Sequence, residues 1–267
     1  MSEKGISVNF VIKNGISQGY PFWESLESCL EFADEVVISE GCSEDGTRQF
    51  IDRFVEKHSE SCEFRIFEDD WNIYKSGRGE LIAKISDINM RRCRHEWVYY
   101  LQADEVLHPG NAGFVRDIAI NHPEFNSVSF PFAHFIGSWK PLPKNGGAYN
   151  EAIRMTKNQA NIKFLGDAWN FTGAVAPICP AGHSPHPIYH LGWVFPKNID
   201  HKKIGHADLY SNMKVYQKGV DECRKRIESN HDYQPLEKPA EYNDYPPSIH
   251  RLFGMIAYEL PEEAFEG

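Results

Sequence analysis

Apolar residues in the first 110 positions follow two alternating patterns. Short runs of β-branched and aromatic residues, typical of strands, occupy residues 6–12, 36–38, 64–67 and 97–101. Between these runs, residues 22–33, 50–55 and 81–88 carry apolar side chains at helical spacing. Strands that alternate with helices predict a parallel sheet joined by right-handed crossovers. The predicted fold class is therefore α/β, with a mostly parallel central sheet flanked by helices.

The run at residues 97–101 consists of consecutive apolar residues, which predicts a strand buried on both faces of the sheet. Asp104 and Glu105 follow it. Open α/β sheets bind ligands at the carboxyl ends of their strands, so we expect both carboxylates at the mouth of a crevice. In the alternative, Asp104 only caps a helix that begins near Asn111. A capping residue lies next to its helix, which favours the first interpretation.

The pattern continues with a helix over residues 114–119 and strands over 127–132, 152–155 and 188–190. We predict one main domain over residues 1–198, with a first half at 1–110 and a second half at 111–198. Residues 199–267 would form a helical appendage packed on it.

The charge and composition of the chain limit the kinds of molecule and the cellular setting that we expect for it. A net charge of −10 excludes a surface that collects nucleic-acid phosphates, because such a surface is basic. The six cysteines form no CxxC pair, which favours a reducing, cytoplasmic setting over a disulfide framework. The sequence contains no apolar run of the roughly 20 residues that a membrane span needs. We therefore predict no transmembrane segment, with peripheral membrane attachment left open.

The turn after the second strand carries the most specific motif. The segment from Ile38 to Thr47 reads ISEGCSEDGT, a hydrophobic strand that runs into an acidic Ser, Asp, Gly and Thr turn. It resembles the second-strand signature of family 2 glycosyltransferases, and Gln102-Ala103-Asp104 resembles that family's metal motif. The resemblance covers roughly residues 6–110. It implies that residues 1–198 are a catalytic domain, with a nucleotide-sugar-binding half at 1–110 and an acceptor half at 111–198. It implies a GT-A fold and sugar transfer from a nucleotide-diphosphate sugar, with Mn²⁺ or Mg²⁺ on the diphosphate.

The resemblance also implies roles for individual residues. Asp104 would ligate the cation, while Gln102 replaces the first acid of the motif. Glu40 would hydrogen-bond the base or ribose, unless it is an ordinary solvated loop carboxylate. The remaining expected contacts to the nucleotide-sugar come from Lys13, Asn14, Arg78, Gln102 and Ala103.

The later part of the chain supplies the other candidates. Inverting members of the family have a catalytic carboxylate there, so we expect Asp167 to be the general base, with Glu151 in reserve. His183, His186 and His190 suggest a zinc site when taken alone. Pro185 and Pro187 argue against the helix that such a site would need. His190 is instead predicted to lie on a short strand, and the resemblance implies that a histidine at such a place is a further ligand of the cation.

The loop at residues 137–150 contains aromatic and hydrogen-bonding side chains that suit sugar recognition, at Trp139, Lys140, Asn145 and Tyr149. It is either an acceptor-binding loop or a mobile surface loop.

Three functions follow from these observations. The leading hypothesis is an inverting, metal-assisted glycosyltransferase that uses a UDP- or GDP-sugar and a carbohydrate or other hydroxyl acceptor. The alternative is a catalytically silent GT-A domain that binds a carbohydrate or a partner. A nucleotidyltransferase is third, because the segment after the first strand is not a Gly-rich, basic phosphate loop.

Overall fold

A computed structural model of the chain provides the architecture. It describes residues 3–73, 80–137, 139–142, 149–174, 184, 186–195, 244–253, 255 and 258–265. The strands are β1 (Glu3–Ile12), β2 (Glu35–Glu40), β3 (Glu63–Glu68), β4 (His95–Gln102), β5 (Glu105–Val106), β6 (Ser127–Ile136), β7 (Glu151–Lys157), β8 (Lys163–Leu165), β9 (Asn170–Thr172) and β10 (Ile188–Trp193). The α-helices are α1 (Gly15–Gln18), α2 (Phe22–Glu27), α3 (Thr47–His58), α4 (Glu80–Met90) and α5 (Ala112–Asn121).

Eight strands form one sheet in the order β3-β2-β1-β4-β7-β6-β10-β5. The first four are mutually parallel, as the alternating pattern predicted. Strand β7 is antiparallel to both β4 and β6, while β6 and β10 are parallel. The predicted α/β class with a mostly parallel sheet is confirmed. Strands β8 and β9 form a separate antiparallel hairpin.

Strand β4 is buried on both faces of the sheet, as predicted. Trp97, Tyr99 and Leu101 belong to one apolar cluster. Val98 and Tyr100 point into a second cluster, on which α4 and the hairpin of β8 and β9 pack. Because successive side chains alternate between the faces, β4 joins both halves of the core.

The first predicted helix is shorter than its apolar spacing suggested. Regular α-helix ends at Glu27, and the chain continues to Phe32 in turns with hydrogen bonds from residue i to residue i−3. Ser28 gives a reason, because its hydroxyl donates to the backbone carbonyl of Ser25, three residues earlier. Such bonds compete with regular helix.

The described C-terminal residues belong to the main core. Arg251 forms an ion pair with the buried Glu24 of α2, and the Tyr258 hydroxyl donates to the same carboxylate at 3.1 Å. Residues Pro247–Leu252 form a 3₁₀ helix. The domain boundary at residue 198 stays a prediction, since residues 196–243 lie outside the described part.

Within the described residues, no helix has both the length and the apolar character needed to cross a membrane.

Candidate active site

The predicted site lies where β4 ends. From there the chain crosses to β5, the edge strand at the end of the sheet away from β3. Asp104 occupies the turn between β4 and β5, and its carbonyl accepts a hydrogen bond from Leu191 of β10 at 2.7 Å. Strand β10 runs between β5 and β6, with His190 opposite Glu105 on one side and His134 on the other. The sheet register therefore brings residues from three distant segments to one point. Asp104 is not a helix cap, because Asn111 occupies the N-cap position of α5.

A chain of polar contacts runs through this point. The Nε2 atom of His190 lies 3.7 Å from Oδ2 of Asp104, and both side chains are 14% exposed. On the other side of the ring, Nδ1 of His190 is 3.1 Å from Nδ1 of His134. Nε2 of His134 is 2.8 Å from the carbonyl oxygen of Tyr149. Burial lowers the pKa of His134.

Glu105 does not lie at the mouth of the crevice, so that prediction is wrong. Its carboxylate is fully buried and forms a bidentate ion pair with the fully buried Arg154, with contacts of 2.7 and 2.9 Å. Arg154 also donates to the carbonyls of Ile153 and Trp169. Burial raises the pKa of Glu105 despite the neighbouring guanidinium. The pair ties β5 to β7 and to the loop beside β9.

Tyr149 lies beside the turn that carries the predicted base. Burial raises the pKa of its hydroxyl, and although Arg154 opposes this, the charges of carboxylates, Asp104 and Asp167 among them, add to it. Asp167 lies in the turn between β8 and β9, and the half-exposed Trp169 in the same turn lies 6.5 Å from the Tyr149 ring.

The reserve base lies at the start of β7. Glu151 is exposed, and the Ser129 hydroxyl of β6 donates to its carboxylate. Its catalytic role remains a prediction.

The acceptor-loop residues have different positions. Trp139 is only 2% exposed and packs against Phe135 and Phe253, so its ring is a core residue rather than a platform for a sugar. Tyr149 faces the candidate site. Asn145 lies outside the described residues.

On the side of the site that is predicted to bind the nucleoside, hydrogen bonds connect the turn after β2 to the segment after β1. The Glu40 carboxylate is buried and accepts the backbone N–H groups of Cys42 and Ser43 at 3.1 and 2.9 Å. Asn14 has a left-handed backbone conformation, with φ of 51°, and its side chain accepts the N–H of Glu44. Glu40 is therefore not the solvated loop carboxylate of the alternative interpretation, since it organises the turn after β2.

The remaining predicted contacts lie along the same edge. Lys13 packs over Gly41, where an added Cβ would be 2.7 Å from Lys13 Cβ. Gln102 is half-buried, and its side-chain amide donates to the Tyr100 hydroxyl at 3.4 Å. Ala103 is buried between Gln102 and Asp104. Arg78 lies outside the described residues.

The donor set at Asp104 and His190 suits a divalent cation. One carboxylate and one imidazole are ligands that Mn²⁺ accepts, and two protein ligands leave coordination positions for phosphate oxygens. Among the residues that the structure describes, no group of three or more His, Cys, Asp or Glu side chains is assembled for a metal. The described residues do not support the zinc interpretation, because the ring of His186 stacks on His108, with 3.7 Å between centroids, while His190 is on β10. His183 lies outside the described residues.

Sequence patterns did not identify two components of this site. His134 lies on a strand whose pairing with β10 spans 56 residues, and Arg154 lies 49 residues from Glu105. The available signal was a histidine and an arginine next to apolar residues within strands, where buried charged side chains need partners.

No protein-family model matches the chain, and no curated protein matches it. Among solved structures, it resembles residues 1–349 of TarS from S. aureus, with 14% identity over 85% of this chain and 71% of that chain and a TM-score of 0.47. The mannosyltransferase PcManGT from Pyrobaculum calidifontis, in complex with GDP-Man and Mn²⁺, has 19% identity over 49% of this chain and 38% of that chain, with a TM-score of 0.37.

Glucosyl-3-phosphoglycerate synthase from Mycobacterium tuberculosis, in complex with Mg²⁺ and UDP, has 14% identity over 50% of this chain and 44% of that chain, with a TM-score of 0.31.

Proposed function

We propose that the chain is a metal-assisted glycosyltransferase that moves a sugar from a nucleotide-diphosphate sugar to a hydroxyl acceptor with inversion. The observation that carries the proposal is the 3.7 Å approach of His190 to Asp104 at the carboxyl end of the central strand. Two residues 86 positions apart meet at the place where the sequence resemblance puts the diphosphate. UDP- and GDP-sugars are the donors to test first.

When bound, Mn²⁺ or Mg²⁺ would neutralise charge on the leaving diphosphate. Asp104 and His190 would hold the cation. An acidic chain, with a net charge of −10, makes such local neutralisation necessary, because its overall field repels phosphates.

The transfer itself needs a base for the acceptor. Asp167 would accept the hydroxyl proton as the acceptor oxygen attacks the anomeric carbon. The bond from that carbon to the diphosphate oxygen breaks, and its electron pair leaves with the nucleoside diphosphate. A single displacement of this kind inverts the anomeric centre. Trp169 and Tyr149, beside Asp167, offer aromatic surface for the apolar face of a sugar ring.

The discriminating experiment compares Asp167→Asn with Glu151→Gln. If Asp167 is the base, Asp167→Asn abolishes turnover while the affinity for nucleotide-sugar stays within about twofold, because a base acts in the transition state. Glu151→Gln, the matched control, retains turnover. Transfer by Asp167→Asn at nearly the wild-type rate would exclude Asp167. An absence of turnover in the wild type with every donor, despite nucleotide binding, would favour the silent binding module.

A further inference from the structure

His134 is buried beside His190, the predicted metal ligand. The hydrogen-bond partners of His134 determine which of its ring nitrogens carries the proton. Nε2 of His134 is 2.8 Å from the carbonyl oxygen of Tyr149. A carbonyl oxygen only accepts, so Nε2 of His134 carries a proton. In a neutral ring the other nitrogen, Nδ1, then has a lone pair and can only accept.

The same reasoning extends to His190. Its Nδ1 lies 3.1 Å from Nδ1 of His134, and a hydrogen bond between two nitrogens needs a single proton. Because Nδ1 of His134 is the acceptor, that proton belongs to Nδ1 of His190. Neutral His190 then has an unprotonated Nε2, and this is the atom on the Asp104 side of the ring.

Asp104 favours the other tautomer of His190, with the proton on Nε2. Its carboxylate, 3.7 Å from Nε2 of His190, would attract a proton to that nitrogen. A protonated Nε2 cannot bind a cation, because a metal ligand needs the lone pair. Asp104 and His134 therefore favour opposite tautomers of neutral His190.

We propose that His134 is a positioning residue that holds neutral His190 with its proton on Nδ1 and thereby keeps Nε2 unprotonated for a divalent cation. The parallel pairing of β6 and β10 sets His134 directly opposite His190. Phe132, stacked on His134 with 5.5 Å between centroids, and Tyr149, edge-on at 4.7 Å, fix the plane of the ring. The metal role of His190 rests on the proposed function, whereas its tautomer does not.

The test is imidazole ¹H–¹⁵N correlation spectroscopy on the metal-free, ¹⁵N-histidine-labelled full chain at a pH where both rings are neutral. His190→Asn assigns the signals. In the wild type we expect His190 to carry its proton on Nδ1. In His134→Phe, which keeps the ring volume and removes the acceptor, the proton should move to Nε2, where Asp104 attracts it.

His134→Asn is the matched control, because its side-chain oxygen can take the place of Nδ1 as an acceptor. It should retain the wild-type tautomer and thereby show that the effect comes from hydrogen bonding rather than from a fold defect. A proton on Nε2 of His190 in the wild type would overturn the inference. So would a wild-type tautomer in folded His134→Phe.

A second measurement separates the inference from the proposed function. Mn²⁺ titration by electron paramagnetic resonance in the presence of UDP should give about 10- to 100-fold weaker binding in His134→Phe than in the wild type or His134→Asn. If the wild type binds Mn²⁺ and both variants bind it with the same affinity, the positioning role is refuted. If the wild type has the predicted tautomer yet binds no Mn²⁺ with any nucleotide diphosphate, the tautomer assignment stands and the metal-assisted function fails.

Discussion

The buried ion pair between Glu105 and Arg154 permits a quantitative prediction about stability. Both side chains are fully buried, and the guanidinium contacts the carboxylate and two backbone carbonyls. Arg154→Met removes these bonds and leaves a carboxylate without its charged partner. Breaking a buried pair in this way typically costs about 3–5 kcal/mol.

Protonation limits the cost. The unpaired Glu105 can avoid a buried charge by taking up a proton, and at pH 7 this costs about 3 kcal/mol, given the ordinary pKa of 4.5 and about 1.36 kcal/mol per pH unit. The pKa of Glu105 in the folded variant is thus raised further. The loss of stability relative to the wild type should be largest at neutral pH and should shrink as the pH falls toward 4.5.

The assay is urea unfolding of the wild type, Arg154→Met, Glu105→Leu and the double variant, at neutral and acid pH. Each single variant should lose about 3–5 kcal/mol at neutral pH, and the double variant should lie within about 1 kcal/mol of the wild type, since it leaves no buried charge. Met also packs favourably on the aromatic ring of Phe132, over which Arg154 lies. A double variant as unstable as the sum of the two single variants would refute this account of the pair.

Two further predictions concern charge elsewhere in the chain. Gln102→Asp should tighten Mn²⁺ binding in the presence of UDP, because it adds a negative charge beside Asp104. Gln102→Ala should change the Mn²⁺ affinity little. Equal Mn²⁺ affinity of the Asp variant and the wild type would mean that residue 102 does not face the cation. Burial raises the pKa of Glu24 from 4.5 to about 7 in the folded chain. The unfolded chain therefore releases the Glu24 proton at lower pH than the folded chain does. The free energy of unfolding should fall by about 3 kcal/mol as the pH rises from 4.5 to 7. Glu24→Gln should remove that slope in urea unfolding, and an unchanged slope would mean that other groups cause it.

The central sheet could be predicted from the sequence because its signal is local. Strand β4 contains a continuous apolar run, which burial on both faces demands, and the other parallel strands of the first 110 residues are rich in β-branched and aromatic residues. The run at β4 therefore fixed the position of Asp104 at the strand end without knowledge of the other strands.

The roles of adjacent acids could not be predicted in the same way. Asp104 and Glu105 look equivalent in the sequence, but only Glu105 faces Arg154 of β7. That distinction depends on the antiparallel insertion of β7 between β4 and β6. His134 escaped prediction for the same reason, because the register of β6 against β10 is a property of the whole sheet. Trp139 was predicted to contact a sugar, but its ring is buried against Phe253, which is distant in the sequence.

Calorimetry of UDP and GDP binding tests the central claim most directly, with Mn²⁺ present or with excess EDTA. Three proteins are compared: the wild type, Asp104→Asn, and Asp117→Asn as a control for an exposed aspartate on α5. We predict that one nucleotide binds with Mn²⁺ to the wild type and to the Asp117 variant. Binding should weaken at least about tenfold in EDTA, and likewise in Asp104→Asn. Undiminished affinity in EDTA, or in Asp104→Asn with Mn²⁺, would contradict the assignment of Asp104 and His190 as the cation site.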